Sequence, residues 1–288
     1  MTPPVLSLAS RAALLTPPRF DRPLAAIAGR LWCASDPGRR AAVRGNRAAL
    51  AAHFPLHAPF VHHIEALAGW LRLLGSSRAS VLARSSIEGL DPVLADRTRG
   101  TLLVAAHVGE WEWGAAALAA RGLEVVAVAG TQMNPAWNPA LALAKRSLGI
   151  EVVGPAQSPA RLVRALRRGA VVALLVDGDI ATARRPAAVG AARAELPLGP
   201  ARLAARSGAR LVAGRCERDG ARYRVRLSAL DQGLAAGDEA ARFEAVRAWL
   251  AATLAEDPGR WCLFRPFFSP AGLTAQTPLH TAGSAVPA

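Results

Sequence analysis

Residues 101–130 read TLLVAAHVGEWEWGAAALAARGLEVVAVAG. A short apolar run ends at His107, Gly109 permits a tight turn, and an Ala- and Trp-rich stretch of helical composition begins near Glu110 or Trp111. After Arg121 and Gly122 a second short run, LEVVAVAG, begins. Strand, turn, helix and strand in this order predict a parallel pair with a helical crossover. Further along, IEVVG (150–154), AVVALLVDGD (170–179) and ARLVAGRC (209–216) repeat the theme. Helical segments at Pro139–Leu148, Pro159–Arg168 and Pro200–Ser207 alternate with them. Continuous apolar runs without a polar face belong to strands covered on both sides, so the expected class is α/β with a central, mainly parallel sheet flanked by helices. ARYRVRLSAL (221–230) differs: Tyr223, Val225 and Leu227 alternate with arginines, as in a half-exposed antiparallel strand. EAARFEAVRAWLAATLAEDP predicts a last helix ending at Pro258.

Upstream of residue 100 the texture is helical. DRPLAAIAGRLW (21–32) follows a proline, and RRAAVRGNRAALAAHF (39–54) sets Ala, Val and Leu against a basic face. In HAPFVHHIEALAGWLRLLG (57–75), Phe60, Ile64, Leu67, Leu71 and Leu74 recur at helical spacing, with His62, His63, Glu65 and Arg72 mainly off that stripe. Adjacent helical residues diverge, so His62, His63 and Glu65 read better as a solvated or interfacial face than as a metal site. The expected organisation is one domain over 1–270, with a helical N-terminal layer (1–99) and an α/β core (100–270). The aperiodic stretch 271–288 is expected to be a disordered tail.

Composition narrows the partners. The 288 residues carry 35 Lys+Arg against 21 Asp+Glu, a formal charge of +14, and Lys145 is the only lysine. The arginine bias reads either as a GC-rich coding sequence or as preparation for an anionic partner. Hydrophobic residues reach 52% and charged ones 19%, which excludes a disordered chain. No apolar run is long enough to span a bilayer, and the N-terminus lacks the basic region of a secretory signal, so a peripheral protein on the cytoplasmic side of the cell membrane is expected. Cys33, Cys216 and Cys262 are odd in number and far apart, which favours a reducing compartment. A single tyrosine and 5% aromatics give a poor stacking surface for nucleic acid. An Arg-rich, greasy chain suits an anionic membrane better.

His107 stands at a strand's carboxyl end, where open α/β sheets place their sites. Glu112 follows five residues later, after the glycine turn. The bend is expected to bring the two together, the acid fixing the imidazole tautomer and stabilising the imidazolium when His107 removes a proton. A capped helix beside a satisfied histidine is the competing reading. No Ser or Cys is built into this corner, so the nucleophile is expected to be a substrate hydroxyl.

The stretch His107-Val108-Gly109-Glu110-Trp111-Glu112 resembles the H-x4-[DE] motif of glycerolipid acyltransferases. More closely it resembles the H-F-G-N-W-E form of the bacterial lipid A biosynthesis (lauroyl/myristoyl) acyltransferase family, which includes the phosphatidylinositol mannoside acyltransferases. Four further segments resemble that family in its order: RRAAVRGNRAALAAHFP, LRRGAVVALLVDGDI, LPLGPARLAARSGARLV and DPGRWCLFRPFF. The resemblance implies transfer of an acyl chain from a thioester, acyl-CoA or acyl carrier protein, to a glycolipid hydroxyl, without a bound cofactor or metal. It implies His107 as general base and Glu112 as its partner. Arg146, in KRSLGIEVV, matches an arginine expected near phosphate or thioester groups, and Asp177 and Asp179 match a D-x-D position that shapes the acceptor pocket or caps the next element.

The chain departs from the family at three places. Glu110 replaces the usual Asn, and a second carboxylate beside the base is expected to alter acceptor preference or raise the histidine's pKa. AGTQMN (129–134) stands where the family carries an aromatic-Arg-Pro, and the membrane-spanning N-terminal helix of many relatives has no counterpart. Two other classes stay open: a lipid or thioester hydrolase, although no G-x-S-x-G elbow occurs, and a non-catalytic lipid-binding protein.

Overall fold

The computed structural model describes residues 4–89, 91, 93, 96–128, 138–154, 159–179 and 183–269. The expected tail at 271–288 and the AGTQMN segment lie outside these residues.

The chain opens with helices α1 (Pro4–Leu15), α2 (Asp21–Ser35), α3 (Pro37–Ala49), α4 (Ala58–Leu74) and α5 (Arg78–Arg84). The core then runs β1 (Ser85–Glu88), β2 (Thr101–Ala105), α6 (Trp111–Ala120), β3 (Val125–Val128), α7 (Asn138–Ser147), β4 (Ile150–Val153), α8 (Pro159–Arg167) and β5 (Val171–Leu175). It closes with β6 (Arg184–Val189), β7 (Ala192–Pro197), α9 (Gly199–Ser207), β8 (Arg210–Asp219), β9 (Arg222–Ala229) and α10 (Glu239–Glu256). Among the described residues seven strands form one sheet in the order β1-β9-β8-β2-β5-β3-β4. The pairs β8–β2, β2–β5, β5–β3 and β3–β4 are parallel, and β9 turns back antiparallel on β8. The fold is α/β with a mostly parallel central sheet and an N-terminal helical region.

Period-two alternation divides the buried strands between two cores. Leu102, Val104, Val126, Val172 and Leu211 face one side, under α8, α9 and α10, where Leu166, Ala204 and Leu250 are fully buried. Leu103, Val125, Val171 and Val212 face the other, under α6 with Trp113, Ala116 and Ala117. Each such Leu or Val contributes roughly 1.5–3 kcal/mol by leaving water. In β9, Tyr223, Val225 and Leu227 are buried between exposed arginines, as the alternation predicts.

Three features depart from the sequence reading. The short strand β1 adds to the sheet edge beside β9. The hairpin β6–β7 turns through Gly190 at positive φ in a segment whose composition carries no strand signal. In α4 the apolar stripe is only in part the buried face: Phe60 is fully buried, but Leu67 is exposed, while Gly69 and Arg72 off the stripe are buried. Arg72 sits there because Asp21 of α2 receives its guanidinium, Nη2 to Oδ1 at 2.6 Å, and also pairs with Arg218. An ion pair spanning three elements outweighs the hydrophobic period of one helix.

Candidate active site

Strands β2 and β5 run parallel with Thr101 opposite Val171 and Ala105 opposite Leu175. Two residues past each strand end, the same register sets His107 opposite Asp177. Val176 N donates to Ala105 O at 2.9 Å, which carries the pairing beyond the strands. Asp177 Oδ1 lies 2.9 Å from His107 Nδ1, and its Oδ2 accepts from the His107 backbone N–H at 2.9 Å and from Trp261 Nε1 at 2.8 Å. With no exposed surface, the carboxylate spends both oxygens on these donors. Burial opposes its ionisation, but the histidine's charge and the three hydrogen bonds prevail and hold its pKa below the ordinary value. Burial likewise disfavours the imidazolium, yet the attraction and hydrogen bond of Asp177 raise His107 above its usual value, with Glu112 adding to the rise. A carboxylate at Nδ1 selects the Nδ1–H tautomer and leaves Nε2 free to take a proton.

The turn after His107 is built on close approach. Gly109 has φ +73°, and a Cβ there would lie 2.2 Å from Cys216 O, so only glycine fits. Glu110 N donates to that same carbonyl at 2.9 Å. Across the turn Cys262 N donates to His107 O at 2.8 Å. The C-terminal segment is held in turn by buried Asn46, which donates to Arg265 O at 2.9 Å and accepts from Phe267 N at 3.0 Å. Arg265 then donates to Asp177 O at 2.7 Å. The segments around Asn46, His107, Asp177 and Trp261, remote in sequence, therefore meet at one dyad.

His107, 27% exposed at its side chain, opens into a cavity of ≈ 350 Å³ under α6. Its walls are largely apolar, including Leu103, Ala115, Leu118, Leu175, Val225 and Leu227. Among the described lining residues there is neither serine nor threonine. Cys216 lines it too, but burial pushes its thiol well above the ordinary value, so it stays protonated and is a poor nucleophile. The arrangement offers a group able to take a proton and a chamber for a greasy chain.

Other sequence-expected residues fall differently. Glu112 lines the cavity but does not orient His107; it accepts from Lys145 Nζ at 2.8 Å, and Asp177 takes the orienting position instead. Arg146 on α7 is exposed and outside the cavity lining, whereas its neighbour Lys145 is buried and lines it. Asp179 is on the cavity rim, largely exposed, 3.8 Å from Arg265 Nε. Glu110 faces away from the base, into a second, polar pocket of ≈ 420 Å³ that it shares with Arg19, Asp21, Arg22, Glu65 and Arg218. A Cβ on Gly69 would come 2.7 Å from Glu110 Oε2, so that glycine makes the room for it. Burial pushes the Glu110 carboxyl up to about 8, against the pull of Arg218.

Sequence reasoning gave no site role to Lys145, Trp261 and Arg265, and read His63 as part of a solvated or interfacial helix face. His63 lines the cavity with His107 and leans on Trp32 and Phe264, at 5.5 and 5.3 Å between ring centroids. Its Nδ1 is buried without a hydrogen-bond partner among the described residues. Burial, then the charges of His107 and Arg39, hold its pKa down to about 4. Its neighbour His62 turns away to Glu65, 3.0 Å from Oε2.

A family model described as bacterial lipid A biosynthesis acyltransferase matches residues 58–269. The matched span contains every named lining residue of the apolar cavity and every residue of the dyad and its supports except Asn46, whereas the polar pocket is completed by Pro18, Arg19, Asp21 and Arg22 from outside it. No curated protein matches the chain.

Proposed function

The chain belongs to the bacterial lipid A biosynthesis acyltransferase family, and from that premise we propose that it moves a fatty acyl chain from acyl-CoA or acyl carrier protein to a hydroxyl of a glycolipid at the inner membrane surface. The observation that carries this reading is the His107–Asp177 dyad at the mouth of an apolar cavity with neither serine nor threonine among its described lining residues. Nε2 of His107 takes the proton of the acceptor hydroxyl, and the oxygen attacks the thioester carbonyl. The tetrahedral intermediate collapses with loss of the C–S bond, and the imidazolium returns its proton to the departing thiolate. Asp177 keeps Nδ1 protonated throughout and stabilises the transient imidazolium.

Lys145, anchored by Glu112 inside the cavity, supports the thioester or an adjacent phosphate. Arg146, exposed one position on, meets the anionic groups of the donor outside. Asp179 and Arg265 border the acceptor's approach. The acyl chain occupies the apolar chamber under α6.

The test is incubation with radiolabelled acyl-CoA, or acyl carrier protein charged with the same chain, and total lipid of the source organism. A new acylated lipid, lost on His107→Ala by about 10²-fold or more, is expected. Free fatty acid alone identifies a hydrolase that uses water in place of the acceptor. An unchanged donor identifies a lipid-binding protein, and transfer at wild-type rate by His107→Ala overturns the base assignment.

A further inference from the structure

Helix α2 buries Asp21, Ala25, Gly29 and Cys33, one residue every four, against α4. At Gly29 a Cβ would stand 2.6 Å from the Val61 backbone, so the two helices touch closely along that face. The opposite face is not polar. Leu24, Ile27 and Leu31, three and four residues apart, are 57–67% exposed. Phe20 in the preceding turn and Leu8, Leu14 and Leu15 on α1 are exposed as well. Of nine large exposed hydrophobics among the described residues, these seven lie between residues 8 and 31. An apolar outer face concentrated on two consecutive helices is a contact surface rather than scatter.

Its charge says what it contacts. Arg11, Arg19 and Arg30 border this face, and none has a carboxylate partner among the described residues. Asp21, the one acid between residues 4 and 35, is buried in its pairs with Arg72 and Arg218. Arg19 lies over the Phe20 ring, 5.0 Å from its centroid, a pairing of apolar body and cationic head suited to an interface. No helix of the described residues is long and apolar enough to cross a membrane.

We propose that the outer face of α1 and α2 docks on an anionic phospholipid bilayer, Leu24, Ile27 and Leu31 entering the acyl boundary and Arg11, Arg19 and Arg30 meeting lipid phosphates. This deepens the membrane-surface part of the functional reading and rests on it for its purpose. The docking face adjoins the site, because Arg19 also lines the polar pocket that reaches Gly109 and Glu110 of the catalytic turn.

Flotation of the whole protein with vesicles tests this without turnover. One set is phosphatidylcholine alone and the other an equimolar mixture with phosphatidylglycerol. Each arginine near an anionic surface strengthens binding roughly fivefold, so a preference on the order of 100-fold for the mixed vesicles is expected at low salt, falling as salt is raised. The triple variant Leu24→Ser, Ile27→Ser, Leu31→Ser is expected to bind at least tenfold more weakly with an unchanged circular dichroism spectrum. The pair Arg11→Gln, Arg30→Gln is expected to lose most of the anionic preference. Wild-type binding by the triple variant, or equal binding of the wild type to both vesicle sets, overturns the proposal. So does a wild-type dimer in light scattering that the triple variant splits while vesicle binding is unchanged, since the face is then an interface between copies. His107→Ala is expected to float like the wild type, so failure of the catalytic reading and failure of the docking face leave different records.

Discussion

His107 and Asp177 are 70 residues apart in sequence and directly opposed in the β2–β5 register, joined at 2.9 Å through Nδ1 and Oδ1. The dyad is a property of the sheet: any slip of β5 against β2 moves the carboxylate off the imidazole. Asp177→Asn keeps the shape but sets an amide where three donors converge. Turnover is expected to fall about 10²–10⁴-fold, and the melting midpoint to drop in line with a loss of about 1–3 kcal/mol for a mispaired buried group. Glu112→Gln, which unpairs Lys145 and leaves the dyad intact, is expected to cost less turnover than Asp177→Asn. Steady-state rates and thermal melts of both variants decide it, and equal rates for Asp177→Asn and wild type refute the orienting role.

Activity is expected to rise with pH along a single-proton limb, because His107 as the proposed base must be neutral, and Asp177 lifts its pKa above the usual histidine value. His63 is neutral at any pH above about 4, so it adds no second step. His63→Phe, which keeps a ring against Trp32 and Phe264, is expected to leave the limb in place while changing KM for the acceptor. A limb that steepens to two protons in the wild type, or shifts in His63→Phe, contradicts the assignment of the titration to His107 alone.

Glu110 makes a separate prediction for stability. Its carboxyl is raised from 4.5 to about 8 in the folded chain. A group that binds its proton more tightly when folded favours folding at low pH and loses that contribution as pH climbs through the folded value. Between about pH 5 and 8 the wild type is therefore expected to lose stability relative to Glu110→Gln, by up to about 5 kcal/mol. Denaturant unfolding of the two proteins across that range measures the gap, and a gap that does not widen with pH shows that the carboxyl is ionised in the fold.

The sheet was readable because β2, β3 and β5 are covered on both faces and carry no charged interruption, and the edge strand β4 carries only Glu151. The β6–β7 hairpin was not, since RRPAAV and ARAELP mix arginine, alanine and proline, residues poor in strand propensity, and are held by a two-residue turn and by α10 packed on β6. His107 stood out for its place at a strand end. Its partner did not, because Glu112 is near in sequence whereas Asp177 is near only after the register forms. The neighbours Lys145 and Arg146 show the same limit on a finer scale: one residue along a helix is a rotation of about 100°, and only the packing of α7 tells which of the two enters the cavity.

That difference gives a paired test. Lys145→Gln removes a cation from the cavity and strands Glu112, and is expected to lower kcat at least tenfold. Arg146→Gln is expected to act on KM for the donor at low salt, with kcat unchanged, because an exposed charge works by attraction that salt screens. A kcat effect from Arg146→Gln and none from Lys145→Gln reverses the two roles.

The proposed function puts the acyl chain in the chamber under α6, so that chamber is expected to set chain length, and Ala115 lines it from a helix whose opposite side is in the core. Ala115→Leu suits a helix and fills cavity space instead of displacing packed atoms. It adds three carbons to the wall, so the preferred acyl chain is expected to shorten by about as many, interiors being too densely packed to yield the space elsewhere. Competition among thioesters of graded length, with products resolved by mass spectrometry, reads the shift. Unchanged selectivity in a folded Ala115→Leu variant means that the acyl chain lies somewhere other than under α6.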